Sequence, residues 1–343
     1  MLAPIPREVS PERQEEDCDR SLRPRGLDEY VGQPEVVANL RVFMEAARLR
    51  AEPLDHMLVS GPPGLGKTTL AHLVASEMGV ELRATSGPAI ERPIDLLVLL
   101  NSLAPNQVLF IDEIHRMSRV VEEILYPVME DLSFDRILSK GVNRGAVRHR
   151  VSPFTLVGAT TRAGSLSSPL RSRFGILFQL DYYRAEDLAA ILRRSAGLLG
   201  VEVDPTGCAE IAGRCRGTPR IANRLLRRVR DFAQVDGIAR VDAEVAGRAL
   251  DRLGVDSAGL DSLDRRILDS LVHRFRGRPV GLVTLAAAVH EEPENLEEVC
   301  EPYLLSAGFL MKTPRGRMAA PRTYEHLGLP LPGNLELLPG LEF

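Results

Sequence analysis

Hydrophobic and polar positions follow two rhythms along this chain, and the change between them divides it. In the first half, short apolar runs at 57–59, 108–111, 154–157 and 176–178 end in Gly, Ser, Asp or Gln. Runs of that length and bounding predict buried strands. Between them, 67–78, 94–104 and 118–131 carry apolar residues every three or four positions, as at Leu70, Leu73 and Val74, which predicts helices. Strands alternating with helices at this spacing imply a parallel sheet covered on both faces. After Tyr183 the strand rhythm stops, and 186–199, 206–216, 219–235 and 241–253 all read as helical. The stretch 254–259, with two Gly, one Ser and one Asp, reads as a linker. Beyond it, Leu263, Ile267, Leu271 and Phe275 recur every four residues in a helix over 261–275. Shorter helices follow at 284–290 and 294–306, then Phe309–Lys312, a Pro-Arg-Gly-Arg turn, and Met318–Ala319. Three helices and a hairpin make a winged-helix pattern.

The expected architecture is therefore α/β with two appended helical parts. Residues 21–182 would form a large P-loop domain, 183–254 a small all-α domain and 255–327 a winged helix, with loose ends at 1–20 and 328–343. The pattern shows no repeat of fixed period.

Composition narrows the possible activities. Aromatic residues are 5% and Trp is absent, too few for a single-strand stacking platform. The four cysteines, Cys18, Cys208, Cys215 and Cys300, form no CxxC pair or zinc-type set, and scattered thiols suit a reducing cytoplasm. The N-terminus lacks the apolar core of a signal peptide, and no run of about 18 apolar residues could span a membrane. The formal net charge is −4. Residues 1–20 and 325–343 each contribute −3, which leaves +2 for 21–324. The acidic total thus comes from the ends and does not exclude nucleic acid as a partner.

The chemistry is concentrated in two motifs. Gly61-Pro-Pro-Gly64-Leu-Gly66-Lys67-Thr68 matches GxxxxGK[ST] between an expected strand and an expected helix, the context that gives the motif its meaning. Glycines let successive N–H groups turn inward on phosphates. Lys67 would reach the β- and γ-phosphates and the Thr68 hydroxyl would ligate Mg²⁺. Downstream, Leu109-Phe110-Ile111-Asp112-Glu113 ends a buried strand with two carboxylates, which are costly there unless they bind something. Asp112 suits the magnesium site and Glu113 the general base for an attacking water. Hydrolysis of a Mg-nucleotide follows from this pair; what it drives does not.

Further stretches carry a family likeness. Val157-Gly-Ala-Thr-Thr161-Arg162 resembles the sensor-1 strand end of AAA+ ATPases, Ser168-Pro-Leu-Arg171-Ser-Arg173-Phe174 their arginine-finger segment, and Gly217-Thr-Pro-Arg220 their sensor 2. Leu22-Arg23-Pro24, Asp28–Pro34, Gly158–Gly164, Arg220–Arg230 and Gly308–Arg317 resemble more narrowly the bacterial Holliday-junction branch-migration motors of the RuvB family, over 21–325. The resemblance implies that Leu22, Arg23 and Tyr183 border the adenine-ribose pocket. It implies that Gly64, Lys67, Thr68 and Thr69 grip the phosphates, and that Glu130, Asp131 and Leu132 lie at the nucleotide-facing end of their helix. Thr161 or its neighbour Thr160 would contact the γ-phosphate or the catalytic water. Arg220 would sense the nucleotide from the small domain, and Arg173 would enter the neighbouring protomer's site. Together they imply a hexameric double-stranded-DNA translocase that migrates four-way junctions in recombination, DNA repair and the SOS response.

Partners follow in the same way. The hairpin 133–152, with Arg136, Lys140, Arg144, Arg148 and Arg150 against Asp135, could touch DNA by charge. The resemblance instead makes it the dock for the junction-binding tetramer RuvA, through Ile137, Leu138 and Val142, with the resolvase RuvC a further partner. In the winged helix, 294–301 carries four Glu and no base, which disfavours groove reading. The wing is basic, with Lys312, Arg315, Arg317 and Arg322, and suits sequence-independent backbone contact. The resemblance assigns DNA contacts at Lys312 and Arg317. Lys at the first replaces the usual Arg and loses its planar fork, and Pro293 stands where many relatives have Arg. The arginine-rich run from Arg214 to Arg230 wraps a helix whose Ile221, Leu225 and Val229 would pack inward, so it serves the nucleotide and protomer contacts better than DNA. Alternative readings are a AAA+ initiator or clamp loader, which would not turn over persistently, and a protein-remodelling ring, whose ATPase would ignore DNA.

Overall fold

A computed structural model describes residues 21–137 and 146–332. The expected tail 1–20, the end of the tail 328–343 and the hairpin tip with Leu138, Lys140, Gly141, Val142, Arg144 and Gly145 lie outside the described residues. The chain forms two compact units. The first takes the residues up to Leu198 together with Thr218–Asn223, and the second takes Leu199–Gly217 and continues from Arg224.

In the first unit, in chain order, lie α1 (Pro34–Arg50), β1 (Met57–Ser60), α2 (Lys67–Met78), β2 (Leu82–Ser86), α3 (Pro93–Asn101), β3 (Val108–Asp112), α4 (Arg119–Asp131), the hairpin strands β4 (Ser133–Ile137) and β5 (Ala146–Arg150), β6 (Thr155–Thr160), α5 (Ser168–Arg171) and β7 (Ile176–Gln179). The central sheet is parallel throughout, in the order β2-β3-β6-β1-β7. β1, β3 and β6 are buried along their length because helices cover both faces, and their side chains are apolar at consecutive positions for that reason. One face packs Leu109, Ile111 and Leu156 against Leu96 and Leu100 of α3 and Val121, Leu125 and Val128 of α4. The order puts the ends of β3, β6 and β1 side by side, so all three loops at their carboxyl ends open on one crevice, where open α/β sheets bind ligands.

The second unit begins near the end of α6 (Ala185–Leu199) and contains β8 (Glu202–Val203), α7 (Pro205–Gly213), most of α8 (Pro219–Val235), β9 (Arg240–Val241) and α9 (Ala243–Arg252). Asp204 caps α7 by accepting the N–H groups of Thr206 and Gly207, each at 2.9 Å, and Asp242 caps α9 through Val245 N–H at 2.9 Å. The winged helix follows: α10 (Ser262–Asp269), α11 (Leu282–Val289), α12 (Glu301–Ser306), β10 (Leu310–Thr313), β11 (Gly316–Ala319) and α13 (Pro321–His326). Its core gathers Leu260, Ile267, Leu271, Leu285, Leu304, Phe309 and Met318.

Several features differ from the sequence reading. The part expected to be all-α over 183–254 carries the short parallel pair β8–β9, and the helix expected over 294–306 takes a π turn over Leu296–Cys300. The helix expected over 261–275 is α-helical only to Asp269 and then takes a wide π turn over Ser270–Arg274. A four-residue repeat drifts around a 3.6-residue helix, and one wide turn offsets the drift, so that Leu263 and Phe275 both pack against the core. The stretch 254–259 has a linker's composition but is not slack. Asp256 accepts the N–H groups of Ala258 and Leu260 at 3.0 and 2.8 Å, and its other oxygen is 2.9 Å from His326 Nε2 on α13.

Candidate nucleotide site and winged-helix surface

The loop from Gly61 to Lys67 carries the chain from β1 into α2. Gly64 and Gly66 have φ of +80° and +98°, which side-chain-bearing residues rarely adopt, and this turns the loop around the amino end of α2. Lys67 is buried, and its ammonium donates to the Gly61 and Pro62 carbonyls at 2.8 and 3.0 Å. Burial lowers its pKa, while the Glu113 and Asp112 carboxylates oppose that shift.

Across the crevice, burial raises the pKa of Asp112, which accepts the Glu113 N–H at 3.0 Å. Glu113 itself has φ of +46°, an uncommon backbone state for a residue with a side chain. One of its oxygens accepts the Thr161 N–H at 3.2 Å and the Thr161 hydroxyl at 3.1 Å, and lies 3.2 Å from His115 Nδ1. His115 Nδ1 is in turn 2.9 Å from the Thr160 hydroxyl. The two threonines left open by the sequence thus do different things: Thr161 holds the carboxylate, and Thr160 reaches it through His115. Room for the Glu113 backbone comes from Gly87, where an added methyl would overlap the Glu113 carbonyl oxygen. Gly87→Ala should therefore displace Glu113 and lower turnover roughly 10²-fold, the size of effect expected when a general base loses its geometry. ATP binding should stay within a few-fold, as nucleotide titration and steady-state ATPase on one preparation would show.

Leu22, Arg23, Tyr30, Val31, Ile191 and Tyr183 line a cleft of about 460 Å³ together with Thr68, Thr69 and Arg220. Arg194 fastens one side, donating to the Leu22 and Arg23 carbonyls at 2.8 and 3.0 Å and to Glu29 at 2.7 Å. The Tyr183 hydroxyl lies 3.0 Å from that of Tyr30 and 3.3 Å from the Leu65 carbonyl. Burial raises the pKa of both phenols, which stay protonated as neutral donors. Sequence reasoning gave no site role to Tyr30, which lies in the quoted stretch 28–34, and missed Ile191 and Arg194, which the fold brings to the crevice, and His115 and Gly87, which it brings to Glu113.

Arg173 and the segment Glu130–Leu132 do not line the cleft. They lie together elsewhere on the first unit. The Arg173 guanidinium is 3.2 Å from Glu130, donates to the Pro169 carbonyl at 2.7 Å and stacks over the Tyr126 ring at 4.7 Å. Tyr126 is set by Glu122 and Ser167, with its hydroxyl 3.0 and 2.9 Å from their oxygens. Asp131 pairs with Arg148 of β5 at 2.8 Å, and Leu132 ends α4 in a left-handed conformation.

The charges of the winged helix are arranged differently from their sequence reading. The acidic segment and the basic wing, which read as separate features, face each other. Arg317 binds Glu301 through two nitrogens at 2.5 and 3.1 Å, with side chains 11% and 4% exposed. Lys312 is half exposed, with its ammonium 3.7 Å from both Glu297 and Glu301. Arg322 donates to the Ala307 carbonyl at 2.6 Å and stacks over Phe309, so it is held against its own domain. Arg315 stands exposed at the turn. Pro293 begins the helical turn Pro293–Asn295. Arg315→Ala should weaken duplex binding about equally on all sequences and reduce the salt slope by about 1. Arg317→Ala should instead strip the buried Glu301 of its two hydrogen bonds and leave it only Lys312, 3.7 Å away, destabilising the winged helix by about 1–3 kcal/mol. Thermal melting and fluorescence anisotropy on the two variants would separate these effects.

Among the described residues no group of three or more His, Cys, Asp and Glu could hold a metal by itself. Thr68 and Asp112 facing one crevice fit Mg²⁺ instead, since that ion takes one or two protein oxygens together with nucleotide phosphates and water.

Residues 22–180 match the family model of the Holliday junction DNA helicase RuvB P-loop domain, 183–256 that of the RuvB AAA lid domain, and 257–328 that of the RuvB C-terminal winged helix domain. Among solved structures, a Thermotoga maritima RuvB Holliday junction branch migration motor is 47% identical, with a TM-score of 0.83 over 91% of this chain and 100% of that one. A mutant of Thermotoga maritima RuvB gives 48% identity and a TM-score of 0.84 over 90% of this chain and 100% of that one.

Proposed function

The chain belongs to the RuvB family of ATP-dependent Holliday junction DNA helicases, and we propose that it works as a homohexameric ring that pulls duplex arms through itself to migrate four-way junctions. The observation that carries this reading is the separation of Arg173 from the crevice that holds Lys67, Asp112 and Glu113. An arginine finger placed on another face of its own protomer can serve only a neighbour's nucleotide, so a complete site needs two copies. Glu130 and Asp131 share that face and would approach the neighbour's nucleotide with it.

When bound, Mg-ATP supplies the phosphoanhydride to be cleaved and a divalent charge over its oxygens. The chain does the rest. Lys67 and the amides of the loop at 64–69 would bind the phosphates, and Thr68 directly and Asp112 through water would hold the metal. Glu113 takes the proton of the attacking water, with its carboxylate aimed by Thr161 and His115. Arg220, four residues beyond Arg216 in sequence, reads the nucleotide from α8. The wing meets the DNA through Arg315 and Lys312, contacts without base readout that suit a motor moving on any sequence.

The decisive experiment is ATP-dependent dissociation of a synthetic four-way junction with and without the cognate junction-binding protein. Dissociation that requires ATP is the expected result. An ATPase indifferent to DNA, with no dissociation under any condition, would defeat this reading in favour of protein remodelling. RuvA is the proposed partner at the hairpin 133–152, with RuvC acting on the same junction in the cytoplasm. Deleting residues 137–144 should abolish stimulation by the partner and spare basal ATPase; unchanged stimulation would refute the docking role.

A further inference from the structure

Three arginines in the segment Arg214–Arg220 have three destinations. Arg214 stays within the small helical part, on Glu210 at 2.9 Å, Asp251 at 2.5 Å and the Val255 carbonyl at 2.9 Å. Arg220 lines the nucleotide crevice of the first unit. Arg216, between them, enters a socket made by the winged helix. Its Nε donates to the Gly259 carbonyl at 2.7 Å. One terminal nitrogen lies 2.7 Å from Asp261 and 2.5 Å from Asp264, and the guanidinium sits over the Tyr303 ring at 5.4 Å. Tyr303 is itself tied to the linker, its hydroxyl donating to the Ala258 carbonyl at 2.7 Å.

The socket is built for a cation. Asp264 is completely buried, and one of its oxygens has no hydrogen-bond partner among the described residues. Burial pushes its pKa up to about 6. The Arg216 guanidinium opposes that shift and stands 2.5 Å away as the counter-charge of the buried carboxylate. Asp261 and Asp264 also close the capping box that begins α10, so the guanidinium grips the first turn of the winged helix. Arg216 pays for this position with a left-handed backbone, φ +53°, followed by Gly217 at +66°. A side-chain-bearing residue holds that conformation only where its surroundings impose it, and such places cluster at switches. The chain crosses from the second unit to the first directly afterwards, between Gly217 and Thr218.

We propose that Arg216 is a coupling residue, which locks the winged helix to the segment carrying Arg220 so that nucleotide-driven displacement of Arg220 reaches the DNA-binding wing. The proposal rests on the translocase reading above. Arg216 does not line the nucleotide crevice and is a positioning residue. The locked linker has the same consequence, since Asp256 and His326 remove the slack that would absorb such a movement.

The test uses the full chain and two variants, Arg216→Lys, which keeps the charge and loses the fork, and Asp264→Asn, which keeps the shape and loses the ion pair. Duplex affinity is measured by anisotropy with ATPγS and without nucleotide, and basal ATPase is measured on the same preparations. Basal turnover should stay within about twofold in both variants, because neither residue enters the crevice. The ratio of the two affinities should fall at least tenfold towards 1, a loss of 1.4 kcal/mol or more of coupling free energy. A purely structural staple would lower the melting temperature and leave the ratio at the parent value; that result overturns the proposal. If the parent itself shows no nucleotide dependence of duplex binding, the translocase reading fails and takes the proposal with it.

Discussion

Arg173→Ala should leave a protein that binds ATP within a few-fold of the parent and turns it over about 10³–10⁵-fold more slowly, the range measured when an arginine finger is supplied or withdrawn. The expectation follows from placement. Arg173 is packed over Tyr126 and paired with Glu130, outside its own crevice, so its loss removes nothing that holds the chain's own nucleotide. The charge it would stabilise develops on the neighbour's phosphoryl group. A mixing experiment checks this directly. Arg173→Ala has an intact crevice and Glu113→Gln an intact finger, so mixed rings contain some complete interfaces and should recover part of the activity. Normal turnover by a homogeneous Arg173→Ala ring would sink the assignment, as would mixed rings that remain as inactive as their parents.

Glu113→Gln should lower turnover by roughly 10²–10⁴, the usual worth of a positioned general base. The variant is informative because geometry is held constant. The amide oxygen of Gln can still accept the Thr161 N–H and hydroxyl that now bind the carboxylate, so what disappears is basicity. ATP should bind and persist, and single-turnover quench experiments should find it unhydrolysed. Turnover within about threefold of the parent would show that another group takes the proton. Comparison with Gly87→Ala separates two requirements at one atom, since the latter keeps the carboxylate and moves it.

Different parts of this protein were legible in its sequence for different reasons. The phosphate loop could be read because its chemistry needs particular residue types at fixed spacing: glycines for the turn, Lys67 for the phosphates and Thr68 for the metal. Asp112 and Glu113 could be read because carboxylates ending an apolar run are expensive without a task. The strands β1, β3, β6 and β7 showed as short apolar runs. β2 did not, because it lies at the edge of the sheet and is half exposed, so Leu82–Ser86 lacks the apolar run of its neighbours. α1 likewise exposes Val42, Phe43 and Leu49 and has no clean apolar stripe.

Long-range pairing was not legible. The acid-rich segment 291–301 and the wing 309–324 read as opposite charges in separate places, yet Glu301 and Arg317 meet in a largely buried bidentate pair. Arg216 read as one arginine in a basic helix, yet it lies before α8 and closes a socket on Asp264. Periodicity and spacing describe which residues share a strand or a face of one helix; they carry no term for two side chains brought together from distant segments.

The sequence by itself determined the order of parts, the phosphate-binding chemistry and the family, because each depends on residue types at short spacing along the chain. Only the tertiary structure decided which face carries Arg173, which threonine holds Glu113, and which cations on the wing are already neutralised by acids of their own domain. Those are questions of which charges and hydrogen-bonding groups come within a few ångströms of each other, and that is settled when strands 3, 6 and 1 line up in the sheet and helices close over them.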